Sequence, residues 1–511
     1  MILINSGEYI GQELKSEIGE IPPSFLPLKN SRLYKHQIES LGGDSNIFIS
    51  LPINFNIPKQ DLDFFNSNNI QTIEIPSKIS LGESIYFSLE LISKYSNKVS
   101  ILHGDTLILD LINNVENAFA VSTLSDNYNW GAVNENTGLI YAGFFAISNI
   151  KVLLNCLKTS NFNFIDALNK YKELENVKLI VIEKWLDFGH VNTYYRSKAL
   201  MPTLRYFNKM SITNNMVLKS GDNYLKIFAE SNWYTSLPSE LRGYTPQWLG
   251  SSGNKEEFSY MIEYQYLITL NELYVFGDQS IIVWKNIIKS CFNFLRKANS
   301  FKCDNPLGYI NNDIFLIKTN NRISEFINEN PSLSGELFFQ GEKLGSLYEI
   351  AELINRNIPL PNSDHISVIH GDFCFSNIFY DYRKQDIKII DPRGLNEKGI
   401  VDIFGDIRYD YSKFAHSIIG KYDQIVAGNY NLEHDGQNFN ITFYESNLMI
   451  DLQDYFWSQV DNIEHIYITK EIIISGMINL FISMLPLHKE SSERQLALLA
   501  NSLKLYKQYI K

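Results

Sequence analysis

Cysteine is scarce. Among 511 residues there are four, Cys156, Cys291, Cys303 and Cys374, and no CxxC pair, which excludes a disulfide scaffold or zinc ribbon and points to a cytoplasmic location. The N-terminus, Met1-Ile2-Leu3-Ile4-Asn5-Ser6-Gly7, lacks a basic stretch followed by a long apolar one, so no secretory leader is expected. Long hydrophobic runs are missing too. The most apolar segment, Ile472 to Leu487, is broken by Ser475, Asn479 and Ser483 and closed by Pro486; it falls short of the ~20 residues a spanning helix needs and reads as a buried helix, with no membrane insertion. Positive charge is not in excess. The net charge of −12 excludes broad electrostatic binding to nucleic acid, yet permits a local basic pocket for phosphate.

What is present is globular. Hydrophobic residues make up 45% and charged residues 20%, and 511 residues at roughly 150 per domain predict two or three domains. The first 200 residues alternate β-rich runs with helical patterns: Ile2-Leu3-Ile4, Ile47 to Leu51, Thr72 to Ile75, Val99 to Leu102 and Phe119 to Ser122 read as strands of a mostly parallel sheet. Between them, Ile85, Leu89 and Ile92 fall on one helical face. A polar join is expected over 199–215. Beyond it, Met216 to Lys219 reads as a strand, and Leu225, Ala229, Trp233 and Leu237 recur as in a helix stopped by Pro238. The remainder reads as largely helical, interrupted by one strand-loop-strand block from Ile366 to Ile390.

That block carries the strongest chemical signal: Val368-Ile369-His370-Gly371-Asp372-Phe373-Cys374-Phe375-Ser376-Asn377, then Ile387-Lys388-Ile389-Ile390-Asp391. Phosphoryl transfer needs a carboxylate to accept the proton of the attacking hydroxyl and oxygen ligands for the Mg²⁺ that bridges nucleotide phosphates. Asp372, Asn377 and Asp391 supply these groups in that order. An ATP-positioning lysine held by a helical glutamate is also required. Lys219 with Glu230 is the choice, with Lys226 as the alternative lysine, and Glu263 is the hinge candidate. For the acceptor two readings stay open: an aromatic cage for a quaternary ammonium from Trp233-Tyr234 or Tyr455-Phe456-Trp457, or an acidic sugar met by Lys318, Arg322 and Arg393.

The block resembles the aminoglycoside phosphotransferase and choline kinase superfamily, whose pattern is HGDxxxxN followed by a short strand and D. The resemblance spans residues 211–511 and implies a bilobal α+β, protein-kinase-like domain with a small lobe over 211–265 and a large helical lobe over 266–511. It further implies that Asp372 is the catalytic base, with His370 and Gly371 shaping its loop, that Asn377 and Asp391 bind Mg²⁺, and that the helix start Gly405-Asp406-Ile407-Arg408-Tyr409-Asp410-Tyr411 buttresses the catalytic loop, with Asp406 structural. His370 is placed with Asp372 in the catalytic set.

In the first half, Leu102-His103-Gly104-Asp105-Thr106 sets an acid just past a buried strand, where a metal bridging a triphosphate would sit. With Asn5-Ser6-Gly7, Leu81-Gly82-Glu83-Ser84 and Trp185-Leu186-Asp187-Phe188-Gly189-His190, this resembles the sugar-nucleotidyltransferase fold, a Rossmann-like (GT-A-like) α/β sheet domain, over residues 1–200. The resemblance implies metal binding by Asp105 and Asp187 and an NTP, with CTP among the candidates, near Gly7. The family's GxGxR loop is not legible in Gly7-Glu8-Tyr9-Ile10-Gly11, so Arg32 and Lys35 are the candidate replacement cations. Together the halves imply a bifunctional enzyme that phosphorylates a small hydroxyl metabolite with ATP and nucleotidylates the product, for surface-polysaccharide precursors. The alternative is a kinase whose N-terminal domain, nucleotidyltransferase-like or glycosyltransferase-like, is not catalytic. The partner is a small molecule; an oligomer is left open.

Overall fold

The computed structural model describes residues 1–42, 46–110, 115–123, 138–201, 208–213, 215–254, 257–311, 313–463 and 468–511. The chain divides into two compact units, Met1–Pro202 with Phe276–Asp278, and Thr203–Val275 with Gln279–Lys511.

The first unit is built on a sheet of β1 (Ile2–Asn5), β2 (Ile47–Pro52), β3 (Gln71–Ile75), β4 (Val99–His103), β6 (Ala118–Ser122), β7 (Ile140–Ile147) and β8 (Lys178–Val181); β5 (Thr106–Ile108) and β9 (Trp185–Asp187) form a separate two-stranded ribbon. The sheet order is β8-β6-β7-β4-β1-β2-β3. β1 runs parallel to β2 and β4, β2 to β3 and β6 to β8, while β7 is antiparallel to both of its neighbours. Every residue of β1, β2, β6 and β7 is buried, as continuous apolar runs covered on both faces must be. The sequence reading did not place β7, although Ile140-Tyr141-Ala142-Gly143-Phe144-Phe145-Ala146-Ile147 is such a run.

Three helices of this unit matter for function: α1 (Leu33–Ser40), α2 (Leu81–Ile92) and α3 (Val191–Ala199). In α2 the Ser80 side chain accepts from Glu83 N–H and the Glu83 carboxylate accepts from Ser80 N–H, a reciprocal cap. Its Ile85, Leu89 and Ile92 are wholly buried with Leu3, Ile101 and Phe145, as their spacing predicts.

The second unit opens with a four-stranded antiparallel sheet of β10 (Asn208–Thr213), β11 (Met216–Gly221), β12 (Trp248–Gly253) and β13 (Phe258–Glu263), in the order β10-β11-β13-β12. The helix α4 (Tyr224–Ser236) packs on it, capped by Asn223. β10 pairs with β11 along its whole length, so the segment read as a polar join contributes a strand, and the unit's sheet starts before residue 211. Pro202-Thr203 and Asn214 lie outside the described residues. The larger lobe holds α5 (Ile281–Ser300), α6 (Lys318–Glu329), β14 (Ile366–Val368), the hairpin β15 (Ile378–Asp381) and β16 (Asp386–Ile389), β17 (Phe404–Asp406), α7 (Ile407–Ile418), α8 (Lys470–Met484) and α9 (Ser492–Tyr509). All of α7 is buried, and α8 packs against it. Over Lys470–His488 this segment is long and apolar enough to cross a membrane, but 83% of that window is buried inside the protein.

One element differs from expectation. Strands 337–339, 342–345, 430–435 and 438–443 form a second small sheet in the large lobe, its hairpin turned at Gly436-Gln437 just after Asp435, where Gly436 takes φ +60. The strands alternate burial weakly, which hides them in a hydropathy pattern.

Gly82 shows how tightly α2 is seated: a Cβ there would lie 1.9 Å from the Phe162 carbonyl oxygen. Glycine-to-alanine in a helix normally stabilises by about 0.5–1 kcal/mol. Gly82→Ala is expected to destabilise instead, by about 1–3 kcal/mol through overpacking, read as a lower urea midpoint by circular dichroism.

Candidate functional sites

The loop between β14 and β15 carries the first constellation. Ile369 O accepts from the Trp233 indole N–H at 2.7 Å, and His370 O accepts from Arg393 N–H at 2.8 Å. Asp410, inside α7, takes His370 N–H at 2.6 Å and Gly371 N–H at 2.8 Å on its two carboxylate oxygens. Gly371 sits at φ +77, and a Cβ on it would be 2.6 Å from that of Arg393; only glycine fits this turn.

The His370 ring is buried. Its Nδ1 accepts from Asp372 N–H at 3.2 Å and its Nε2 faces Ile390 O at 3.0 Å, which assigns the neutral tautomer with the proton on Nε2. Burial pushes its pKa down to about 4. A neutral imidazole with both nitrogens engaged transfers no proton, so His370 is a positioning residue rather than a catalytic one: it ties the Asp372 backbone to the residue preceding Asp391.

The Asp372 carboxylate is gripped twice, by Lys413 Nζ at 2.8 Å and by Asn377 Nδ2 at 3.0 Å. Burial opposes the Lys413 ammonium, but Asp372 outweighs it and holds the lysine above its ordinary range. Asp391, past the end of β16, adopts φ +58, a conformation rare for residues other than glycine. It meets Lys219 Nζ at 2.9 Å, and Lys219 in turn meets Glu230 at 2.6 Å. Both side chains of the Lys219–Glu230 pair are about 5% exposed, and Tyr260 OH donates to Glu230 at 3.0 Å. Burial works against this lysine too, and Asp391 and Glu230 overcome it. Lys226, the alternative, is exposed on α4. Glu263 ends β13, exposed, with its N–H donated to Gln247 O at 2.9 Å and its carboxylate accepting from Gln265 at 3.0 Å.

The helix start read as the buttress divides the work between its two acids: Asp406 is structural, capping α7 and forming a buried pair with Arg408 at 2.6 Å, and the loop rests on Asp410. Sequence reasoning missed Lys413, a lysine on a wholly buried helix. Trp233 and Tyr234, offered as a cage, are core residues packed on each other, with Trp233 against His370.

In the first unit, α1 shapes the turn after β4. Gln37 Nε2 approaches the carbonyls of His103, Gly104 and Thr106 at 3.0, 3.2 and 2.7 Å. β5 pairs with β9 so that Thr106 faces Asp187, and Phe188 N–H donates to Asp105 O at 2.8 Å. Asp105 and Asp187 are thereby brought together: a Cβ on Gly189 would be 2.5 Å from Asp105 Oδ2 and 3.5 Å from Asp187 Oδ1. Thr193 of α3 donates to Asp187. Gly7 lies against α2, where an added Cβ would be 2.7 Å from Ser84 Oγ.

Arg32 is a correction. It is buried, with Nε and Nη2 at 3.3 Å from Asp61, and Nη1 at 3.0 Å from Phe25 O and 2.6 Å from Phe276 O. Every nitrogen of the guanidinium is consumed in packing, leaving none for a phosphate. Lys35 lies 4.5 Å over the Phe64 ring, and burial lowers its pKa. Both candidate cations are thus drawn into packing, Arg32 on Asp61 and Lys35 on Phe64.

Among the described residues no cluster of three or more His, Cys, Asp or Glu side chains stands at metal-binding spacing. Each site instead offers hard oxygen donors: Asp391 with the Asn377 amide oxygen in one, Asp105 with Asp187 in the other. That donor type suits Mg²⁺, which takes one or two carboxylates and completes its shell with water and phosphate oxygens.

No family model matches the chain, and no curated protein matches it. Among solved structures it is similar to the inositol-1-phosphate CTP transferase from T. maritima, at 16% identity over 39% of this chain and 95% of that one, with a TM-score of 0.31. It is also similar to an aminoglycoside-3'-phosphotransferase of type VIII, at 11% identity over 57% of this chain and 99% of that one, TM-score 0.34. A third is a thermostable mutant of aminoglycoside phosphotransferase APH(4)-Ia in ternary complex with AMP-PNP and hygromycin B, at 11% identity over 60% of this chain and 92% of that one, TM-score 0.35. The structural neighbours thus include nucleotidyltransferases and aminoglycoside phosphotransferases.

His370 gives a pH signature. Folded, it stays neutral down to pH about 4; unfolded, it protonates near 6.5. The stability that neutral His370 contributes is complete above pH 6.5 and is lost as pH falls toward 4, by about 3 kcal/mol. Measured from pH 7.5 to 4, the urea midpoint of the wild-type chain is expected to lose ground relative to that of His370→Asn as the pH falls.

Proposed function

We propose that the second unit is an ATP-dependent phosphotransferase acting on a small hydroxyl metabolite, and that the first transfers a nucleotidyl group from an NTP to the phosphorylated product. The observation that carries the first half is the chain of contacts from Glu230 through Lys219 to Asp391, standing beside Asp372 and Asn377 on one rigid loop. In the reaction, Asp372 accepts the proton of the acceptor hydroxyl as its oxygen attacks the γ-phosphorus. The bond from that phosphorus to the β–γ bridging oxygen breaks, and ADP leaves with the electron pair. Lys219 engages the nucleotide phosphates. Asn377 and Asp391 would hold a Mg²⁺ ion, and Asp105 with Asp187 another in the first unit; once bound it would neutralise phosphate charge.

The first unit's step joins a phosphate oxygen of the product to the α-phosphorus of the NTP, breaks the α–β bridge and releases pyrophosphate. The paired Asp105 and Asp187 support it, and the outcome is an NDP-activated precursor of the kind used in surface-polysaccharide assembly, made in the cytoplasm. A second reading, a nucleotide-binding domain without catalysis, is favoured by one observation: Arg32 is consumed internally and Gly7-Glu8-Tyr9-Ile10-Gly11 contains no cation.

Two measurements test this. ADP formation over a panel of sugars, polyols and amino alcohols is expected for the wild-type chain and is expected to drop by about 10²–10⁴-fold in Asp372→Ala, with Mg-ATP still bound; a panel silent for both chains overturns the kinase reading. Pyrophosphate release from each NTP with phosphorylated acceptors is expected to vanish in Asp105→Ala while ADP formation persists. Its absence in the wild-type chain selects the second reading.

A further inference from the structure

Beside the catalytic loop lie two cations that share one carboxylate: against burial, Tyr409, Glu397 and Asp372 hold the Arg393 charge above its ordinary range, and Lys318 is the one left short. Lys318 opens α6 and reaches Tyr409 of α7, its Nζ 2.9 Å from the phenol oxygen, and stands 3.7 Å from Glu397 Oε1. Arg393, two residues past Asp391, places Nη2 2.6 Å from that same Oε1. One carboxylate oxygen therefore serves two charges, and both side chains are largely buried, at 20% and 26% exposure. Burial lowers the Lys318 pKa, with Arg393 adding to the effect, and Tyr409 and Glu397 do not restore it. The third cation of this region, Lys413, has its own carboxylate in Asp372.

Arg393 and Glu397 line a cleft that reaches His370 of the catalytic loop. The other carboxylates of this cleft have partners: Asp402 accepts from Tyr309 OH, Asp313 pairs with Lys398 at 3.5 Å, and Asp406 with Arg408. Arg322, the remaining basic candidate of the sequence, is occupied on the surface by Glu325. A desolvated cation pair sharing one carboxylate is short of negative charge, and an oxyanion entering from the cleft gains charge-assisted hydrogen bonds, with the planar Arg393 fork able to bind it through two parallel N–H groups. A cationic acceptor would meet two positive charges there and be repelled.

We propose that the acceptor is a hydroxyl compound bearing an oxyanion, a carboxylate or a phosphate, which Lys318 and Arg393 bind beside Asp372. The inference rests on the phosphotransferase reading of this unit. The full chain with Mg-ATP is assayed on matched acceptors that differ in charge: glucose against glucuronate, and glycerol against glycerate and glycerol 1-phosphate, the last two separating carboxylate from phosphate. The anionic members are expected to lead by about tenfold or more in kcat/KM.

In Lys318→Met, KM for the anionic acceptor is expected to rise about tenfold while KM for ATP stays within about twofold, and Lys318→Arg is expected to restore most of the loss; a merely structural lysine would not produce that split. Arg393→Gln serves the same purpose where Lys318→Met does not fold. Neutral acceptors turned over as well as anionic ones, or variants that raise KM for ATP instead, overturn the proposal and leave the kinase reading standing. Alongside turnover, calorimetry of the Mg-ADP-loaded chain with glucuronate and with inorganic phosphate reads the site directly: saturable heat that disappears in Lys318→Met supports the oxyanion site, and its absence overturns it. Failure to bind Mg-ATP at all overturns both readings.

Discussion

Two peptide N–H groups, those of His370 and Gly371, end on one buried carboxylate, Asp410, and the geometry of the loop that carries Asp372 and Asn377 depends on that arrangement. Each N–H left without an acceptor in this interior would cost about 1–3 kcal/mol, so the loop has no cheap alternative shape. Burial pushes the Asp410 carboxyl up to about 7, against the pull of its two hydrogen bonds; a carboxylate held at that cost is one whose acceptors are in use. Trp233, Arg393 N–H and Ser417 bind further backbone groups of the same loop. The result is a rigid loop that presents Asp372 and Asn377 from fixed positions, which is what a reaction catalysed mainly by positioning and electrostatics requires.

The two candidate sites share a plan and differ in charge balance. Both set acidic side chains where buried strands run out, and both clamp the turn from behind, with Gln37 in the first unit and Asp410 in the second. In the second unit cations and carboxylates alternate through space: Glu230, Lys219 and Asp391 on one side, Asp372 and Lys413 on the other. In the first unit the candidate cation Arg32 is committed to Asp61 and two backbone carbonyls. The chemistry of a polyphosphate is sensitive to that difference, because its negative charge must be matched inside a low-dielectric site.

Much of the architecture was legible because its causes are local. Ile85, Leu89 and Ile92 share a helical face whatever they pack against, and the run from Val368 to Asn377 keeps its spacing of reactive groups in any strand-loop-strand setting. The antiparallel β7 and the exposed hairpin at Gly436-Gln437 were less legible. A continuous apolar run says nothing about strand direction, and a weakly buried strand has little hydropathy signal.

The sequence by itself set the order and spacing of Asp372, Asn377 and Asp391 in the second unit, and placed Lys219 at the end of a strand read over 216–219. Tertiary structure decided which charges meet. Lys219 finds Asp391 across 172 positions, Arg32 finds Phe276 O across 244, and of the two acids at the start of α7 it is Asp410 that holds the loop while Asp406 turns to Arg408. The reason is physical: the role of an ionisable side chain depends on which partners lie within about 3 Å of it and how much water is excluded there, and both are properties of the folded chain rather than of its order.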